Sequence, residues 1–260
     1  DDNSLFERNG FHHSDALCEV KIVLKNGIYI NTNGLRPRLQ NSMRRLAAYS
    51  NPEFYKKQRR GFNTNGIPRV VYCGYDDCAH IVLPRACRET LLSRLDDGDI
   101  EYQIIDNRQK GRPVDVAFNG TLYPEQNSAV SALLKFEDGI LNAATAFGKT
   151  VVGAYMISQR KVNTLILVHN VEIMNNWVSD LTKFLSINED LPTYTTPSGR
   201  LKQRKSLIGT FSSQKNNLTG IIDVVMVSSL GKDGNVNPMV KDYGMVIMDE
   251  CHHGAAYTSE

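Results

Sequence analysis

Apolar and polar positions divide the chain into two parts with different rhythms. Up to about residue 118 the apolar runs are short and separated by polar steps. Residues 20–24 (VKIVL) and 27–30 (GIYI) flank Lys25-Asn26 and predict a β-hairpin. Helical stretches follow at 40–49 and 52–58, then strands near 69–73 and 80–83 and a helix over 84–95. Short strands at 101–105 and 114–118 are expected to close this module, with Gly111-Arg112-Pro113 and Asn119-Gly120 as boundary punctuation. The expected first domain is therefore α+β and covers residues 1–118.

From Leu122 the pattern changes. Pro124 opens an amphipathic helix through Phe136, in the first helical turn where its missing N–H costs nothing. Four apolar runs then appear in order, at 139–141, 164–168, 221–227 and 245–248. They lack strict alternation, as expected of strands covered on both faces, and helical stretches separate at least the first three. This predicts a parallel sheet in an α/β domain over residues 119–260. Ligands of such sheets bind beyond the carboxyl ends of the strands, and every polar motif below directly follows one of these runs.

Composition changes this picture little. With 41% hydrophobic and 22% charged residues and a net charge of +2, the 260 residues fit one large or two modest globular domains. No apolar run approaches a membrane span, and Asp1-Asp2-Asn3 does not resemble a signal peptide. The chain does not begin with methionine and is expected to be a segment of a longer protein. Five cysteines without disulfide-rich spacing point to a reducing cytoplasm. Buried thiols are the expected role of Cys73, Cys78 and Cys87; zinc ligation by these three with His80 is the alternative, on a loosely matching spacing.

The distribution of charge says more than its sum. Between residues 36 and 69 lie Arg36, Arg38, Arg44, Arg45, Lys56, Lys57, Arg59, Arg60 and Arg69 against the single acid Glu53, and a second cluster comprises Arg200, Lys202, Arg204 and Lys205. Such clusters mark either a phosphate-backbone footprint or ordinary solvated helix faces.

The candidate chemistry centres on residues 143–150, AATAFGKT, placed after a strand-like run and before a helix-like one. The phosphate-loop pattern ends Gly-Lys-Ser/Thr, intact here as Gly148-Lys149-Thr150, but opens with glycine where Ala143 stands. In that pattern the backbone of Ala143, Thr145, Ala146, Phe147 and Gly148 cradles phosphates at a helix N-terminus. Lys149 reaches the β and γ phosphates, and the Thr150 hydroxyl binds Mg²⁺. The fourth run ends in Asp249-Glu250-Cys251-His252-His253. Two carboxylates directly after an apolar strand are costly unless their charge is used, and a magnesium–nucleotide uses it. Asp249 would hold the metal through its waters, and Glu250 would orient and deprotonate an attacking water. Metal ligation by Asp249, Cys251 and His252 is the weaker alternative, since adjacent ligands on one short loop rarely all point inward.

These residues resemble the superfamily-2 helicases and translocases, in the branch with XPB-like and restriction-enzyme-like DNA motors. Residues 143–150 resemble motif I, in which alanine at the first position is usual, although glycine is commoner at 146. Asp249-Glu250-Cys251-His252 is similar to the DExH box, which implies that His252 couples the nucleotide site to a second lobe. Leu122-Tyr123-Pro124-Glu125-Gln126 resembles the segment whose glutamine recognises adenine, here Gln126. The segment 165–177 resembles a motif that touches the nucleic-acid backbone through the turn after its strand, here His169 and Asn170; Trp177 reads as helix-to-sheet packing. Val224 to Leu230 resembles the next backbone-contacting motif, with Ser228 and Ser229 as hydroxyl donors. Over residues 1–118 the likeness is looser, to the accessory domain that precedes the motor in helicases such as those of TOTE-type conflict systems, a candidate DNA-binding module.

The resemblance implies a RecA-like parallel sheet with flanking helices, a P-loop NTPase lobe incomplete at its C-terminus. It also implies ATP and Mg²⁺ as cofactors, DNA as partner with RNA as the alternative, and a second RecA-like lobe elsewhere in the same polypeptide. The expected function is that of the N-terminal part of an ATP-dependent DNA helicase or translocase. The rival readings are a nucleic-acid-binding module with a vestigial ATP site and, further off, a P-loop ATPase acting on proteins or small molecules.

Overall fold

The computed structural model describes residues 10–144, 146–196, 198–232 and 235–251. The chain forms two compact units that meet between Arg108 and Gln109.

The first unit holds a five-stranded sheet in the order β5-β6-β2-β1-β7. The predicted hairpin is present as β1 (Val20–Leu24) and β2 (Ile28–Asn31), paired antiparallel with Ile22 opposite Ile30. Helix α1 (Pro37–Arg45) begins on a proline, earlier than expected, and stops where Ala48 enters β3 (Ala48–Ser50). Helix α2 (Pro52–Arg59) is capped by Asn51, whose side chain accepts from the Glu53 N–H, and β4 (Val70–Tyr72) returns to pair with β3. After β5 (Tyr75–Asp76), β6 (His80–Leu83) pairs with β2, and a 3₁₀ turn at Arg85–Cys87 leads into α3 (Arg88–Asp97). Strand β7 (Tyr102–Asp106) then lies parallel to β1. One face of the sheet is covered: Ile22, Ile30 and Ile81 pack with Leu39 and Met43 of α1 and Leu91 and Leu95 of α3. The thiols of Cys73 and Cys78 are exposed, contrary to the expected burial, because the β4–β5 region lies outside this core; only Cys87 is partly buried, its Sγ 3.5 Å from the Leu46 carbonyl.

The second unit starts earlier than the expected boundary at 118/119. Strand β8 (Val116–Phe118) does not close the first module but pairs antiparallel with β10 (Leu185–Ile187), far along the second. Helix α4 (Pro124–Leu133) starts at the predicted proline. Helix α5 (Lys149–Arg160), β9 (Thr164–Val168) and α6 (Val171–Phe184) follow, then a β11–β12 hairpin (Thr193–Thr195 with Leu201–Gln203). The sheet is completed by β13 (Ile208–Ser212), β14 (Lys215–Asn216) and β15 (Ile222–Met226). A short β16–β17 pair (Gly231–Lys232 with Asn235–Val236) precedes β18 (Met245–Met248).

The strand order is β14-β13-β15-β9-β18, and β13, β15, β9 and β18 run parallel. Three of the four apolar runs are therefore parallel strands as expected. The run 139–141 is not a strand: it is only three residues long, Ile140 is 81% exposed, and Leu141 alone joins the cluster around Leu122, Val130, Val152 and Met156.

Two buried polar side chains fix the sheet. Asn163, 3% exposed, accepts from the Arg112 and Gly244 N–H groups and donates to the Gly220 and Asp242 carbonyls, so one amide joins four segments. Asp223, at the base of β15, accepts from Thr219 N–H and hydroxyl, from Gly220 N–H and from the Tyr243 hydroxyl at 2.6 Å. Burial raises its carboxyl above the usual range, because desolvation outweighs these four bonds to the charged form. Burial and the Asp223 charge likewise raise the Tyr243 phenol. Among the described residues no helix is long and apolar enough to cross a membrane.

Candidate functional site

Parallel pairing delivers the polar motifs to one end of the second sheet. Val168 lies opposite Met226, so the turn of His169 and Asn170 after β9 stands beside the 3₁₀ turn Val227–Ser229 after β15. Met248 lies opposite Leu167, and the Asp249 N–H continues that ladder to the Leu167 carbonyl at 3.0 Å. The acidic pair thus emerges at the carboxyl end of the sheet, where doubly wound folds bind ligands.

The loop before α5 has the backbone shape its sequence makes demanding. Gly148 is left-handed at φ 82°, a conformation glycine adopts without strain, and a Cβ there would crowd the Gln126 amide at 2.6 Å from Nε2. Ala146 is also left-handed, at φ 65°: the alanine at a position where glycine is commoner carries the strain that glycine would avoid. Gln126, expected to meet adenine, is buried and engaged within the chain at both ends of its amide. Its Oε1 accepts from the Tyr123 N–H at 3.0 Å and its Nε2 donates to the Phe147 carbonyl at 2.8 Å, tying the loop to α4.

Lys149 is the first and Thr150 the second residue of α5, where backbone N–H groups and the helix dipole favour an anion. The Lys149 ammonium lies 3.8 Å from the Glu250 carboxylate, each side chain about one-third exposed. Segments a hundred residues apart in sequence therefore meet. Glu250 is left-handed at φ 49°, and its N–H donates to Asp249 Oδ1 at 2.9 Å. Strain of this kind in a non-glycine residue persists where surrounding structure enforces it.

The sequence reading of Trp177 as packing is incomplete. The indole is 3% exposed against the second core, and Gly153 of α5 admits it so closely that a Cβ there would come within 2.6 Å of its Cη2. In addition its Nε1 donates to Asp249 Oδ2 at 2.8 Å. Between the indole and the Glu250 N–H, both Asp249 oxygens are oriented. No periodicity signals this: an apolar position on an amphipathic helix looks the same with or without a distant acceptor.

Of the residues expected to touch nucleic acid, Asn170 caps α6, its side chain accepting from the Ile173 N–H at 2.7 Å, while remaining exposed. His169 is half-buried, Ser228 is exposed and Ser229 half-buried. Ala143 lies half-buried in the loop, and the Phe147 N–H donates to the Ala144 carbonyl. Thr145 and His252 lie outside the described residues, and with His252 the alternative metal set of Asp249 and Cys251.

Comparison with known proteins bears on the family and the fold. Residues 119–259 match the family described as Type III restriction enzyme, res subunit. A candidate helicase of Invertebrate iridescent virus 3 is 32% identical over 139 residues, 52% of this chain and 39% of that protein. The DNA 3'-5' helicase XPB of Kineococcus radiotolerans is 27% identical over 141 residues, 54% of this chain and 23% of that protein. The chain thus spans well under half the length of these relatives. The crystal structure of the UvsW helicase from bacteriophage T4 superposes with a TM-score of 0.56 over 90% of this chain and 83% of that one, at 13% identity. A parallel sheet with the phosphate-loop helix and the acidic pair at its carboxyl end, the family match across the second unit and the fold likeness converge: the chain belongs to the Type III restriction enzyme res-subunit family of superfamily-2 helicase-like proteins, with a RecA-like P-loop NTPase fold.

Proposed function

We propose that this chain is the ATP-binding N-terminal part of an ATP-dependent DNA helicase or translocase. The observation that carries this reading is the Lys149 ammonium 3.8 Å from the Glu250 carboxylate, beside an Asp249 oriented by Trp177. A cation and two acids at the mouth of a helix N-terminus suit a triphosphate and its magnesium. Magnesium would supply charge neutralisation across the phosphates. Thr150 and Asp249 would hold it with few protein ligands, as this cation prefers because it keeps several waters.

The chain's own groups then have distinct tasks. Lys149, now paired with Glu250, turns to the phosphates. Glu250, released from the ammonium, holds and accepts a proton from the attacking water. Gln126 fixes the loop through Phe147 and is the proposed adenine contact. His169, Asn170, Ser228 and Ser229, on adjacent strand ends, are proposed to grip backbone phosphates, and His252 to relay the nucleotide state to a second lobe. The first unit is proposed to act as the accessory DNA-binding domain, with the boundary at 108/109.

Trp177 is the only tryptophan in the chain, and its indole contacts Asp249, so its fluorescence reports on the site directly. Titration with ATP and magnesium should change that emission in the wild type and not in Lys149→Ala. An unchanged response in Lys149→Ala, or unchanged ATPase activity of that variant in the full-length protein, would remove the site. ATPase rates of the full-length protein with single-stranded DNA, duplex DNA and RNA in parallel identify the nucleic acid.

A further inference from the structure

The first unit carries a surface that its core does not explain. Between β3 and β4 the chain inserts α2 and a loop, residues 51–69, outside the sheet. The insert has one buried apolar anchor, Phe54, whose ring lies beneath the Arg69 guanidinium at 5.3 Å. Its ends are tied together, since Asn51 donates from its backbone N–H to Arg69 O and from its side chain to Pro68 O. The arm is thus held in shape although almost everything else on it faces solvent.

Its charge is one-sided. From 52 to 69 five cations stand against one acid, Glu53, which is engaged by Lys57 at 2.9 Å. Lys56, Arg59 and Arg60 make no ion pair among the described residues. Their spacing places them on one side of α2 and its end. A solvated helix face normally intersperses acids with its bases; this one does not.

Aromatic rings stand among these cations. Tyr55 is 41% and Phe62 62% exposed. Gly61, left-handed at φ 71°, turns the chain so that the Phe62 N–H bonds back to Lys57 O at 3.0 Å, which holds the Phe62 backbone at the cationic end of the helix. Pro52, Tyr55, Lys56, Arg59 and Arg60 line one shallow, open hollow, so an exposed ring and three cations share a single surface.

We propose that this arm of the first unit is a binding site for single-stranded nucleic acid, in which Lys56, Arg59 and Arg60 hold the phosphate backbone while Tyr55 and Phe62 stack on unpaired bases. Fixed cations interleaved with exposed rings are the combination that single-strand binding uses: the charge follows the backbone and each base offers a π-face whatever its sequence. An acidic protein segment would satisfy the cations and leave the rings idle. The site lies wholly within the first unit; the inference rests on the accessory nucleic-acid-binding role proposed for that unit and uses nothing of the nucleotide site.

The test is fluorescence anisotropy of a labelled oligothymidylate with the whole 260-residue chain, without nucleotide, across a salt series. The variant Lys56→Ala/Arg59→Ala/Arg60→Ala should lower the slope of log affinity against log salt by about 2, at roughly 0.7 for each phosphate no longer neutralised. Tyr55→Ala and Phe62→Ala should each weaken binding roughly 5- to 100-fold, whereas Tyr55→Phe, which keeps the ring, should bind as wild type. These effects should be absent with a blunt duplex of equal length and should persist in a Lys149→Ala background, which separates this site from the nucleotide site. Circular dichroism confirms that each variant is folded. An unchanged salt slope in the triple variant overturns the proposal, as does equal weakening in Tyr55→Phe and Tyr55→Ala, equal weakening on duplex, or poly-glutamate competing as well as the oligonucleotide.

Discussion

The indole of Trp177 offers a test of whether the acidic pair is held in place by the fold. Trp177→Phe keeps an aromatic ring at a position 3% exposed but removes the N–H that donates to Asp249 Oδ2 at 2.8 Å. Two costs follow. A hydrogen bond to a charged group contributes about 1.5–3 kcal/mol, and because Asp249 is half-exposed, water can replace part of it, so about 1.5 kcal/mol is expected. The smaller ring also leaves a void against Gly153, for about 1 kcal/mol more. A double-mutant cycle separates them, because the void cost persists in an Asp249→Ala background and the hydrogen-bond cost does not. Urea unfolding should be followed by far-ultraviolet circular dichroism, since the variant loses the chain's only fluorescent indole. The expected coupling energy is about 1–1.5 kcal/mol. A coupling within about 0.5 kcal/mol of zero, the ordinary scatter of independent sites, would refute the claim that the indole holds this carboxylate. The same variant should weaken magnesium-dependent nucleotide binding by roughly 10- to 100-fold, as loss of outer-shell orientation typically does.

Four other outcomes are expected. Burial raises the Asp223 carboxyl, so its favourable contribution is full below the unfolded pKa of about 3.9 and is lost as pH rises through the folded value. Unfolding free energies measured from about pH 3 to 7 should therefore show wild type losing stability relative to Asp223→Asn as pH increases; a flat or opposite trend contradicts burial as the dominant cause. Ala146→Gly relieves a left-handed alanine, so thermal melting should show no loss and a gain of up to about 1 kcal/mol, whereas a clear loss would mean that the φ of 65° is not strained. Glu250→Gln in the full-length protein should keep ATP binding and stop hydrolysis, and a variant that still turns over points to another base. Residues 1–260 alone should hydrolyse ATP on the order of 10³ to 10⁵ more slowly than the full-length protein if a second lobe supplies the arginine finger, so brisk DNA-stimulated turnover by this chain would count against the two-lobe reading.

The sequence by itself located three strands of the parallel sheet, at 164–168, 221–227 and 245–248, and where the hairpin and the proline-led helix begin, and it offered candidate residues for a triphosphate. Those properties are local: they depend on how many neighbours along the chain are apolar and on the few residues that cap or break an element. Only the tertiary structure decided which strands pair. The run 139–141 has strand composition but stays unpaired, and Val116–Phe118 belongs to the second unit because its partner is Leu185–Ile187, remote in sequence. The approach of Lys149 to Glu250 was not legible in the sequence, nor was the bond from Trp177 to Asp249. A side chain's distant acceptor leaves no trace in hydrophobic periodicity, because the same buried indole satisfies the helix pattern whichever way its N–H points.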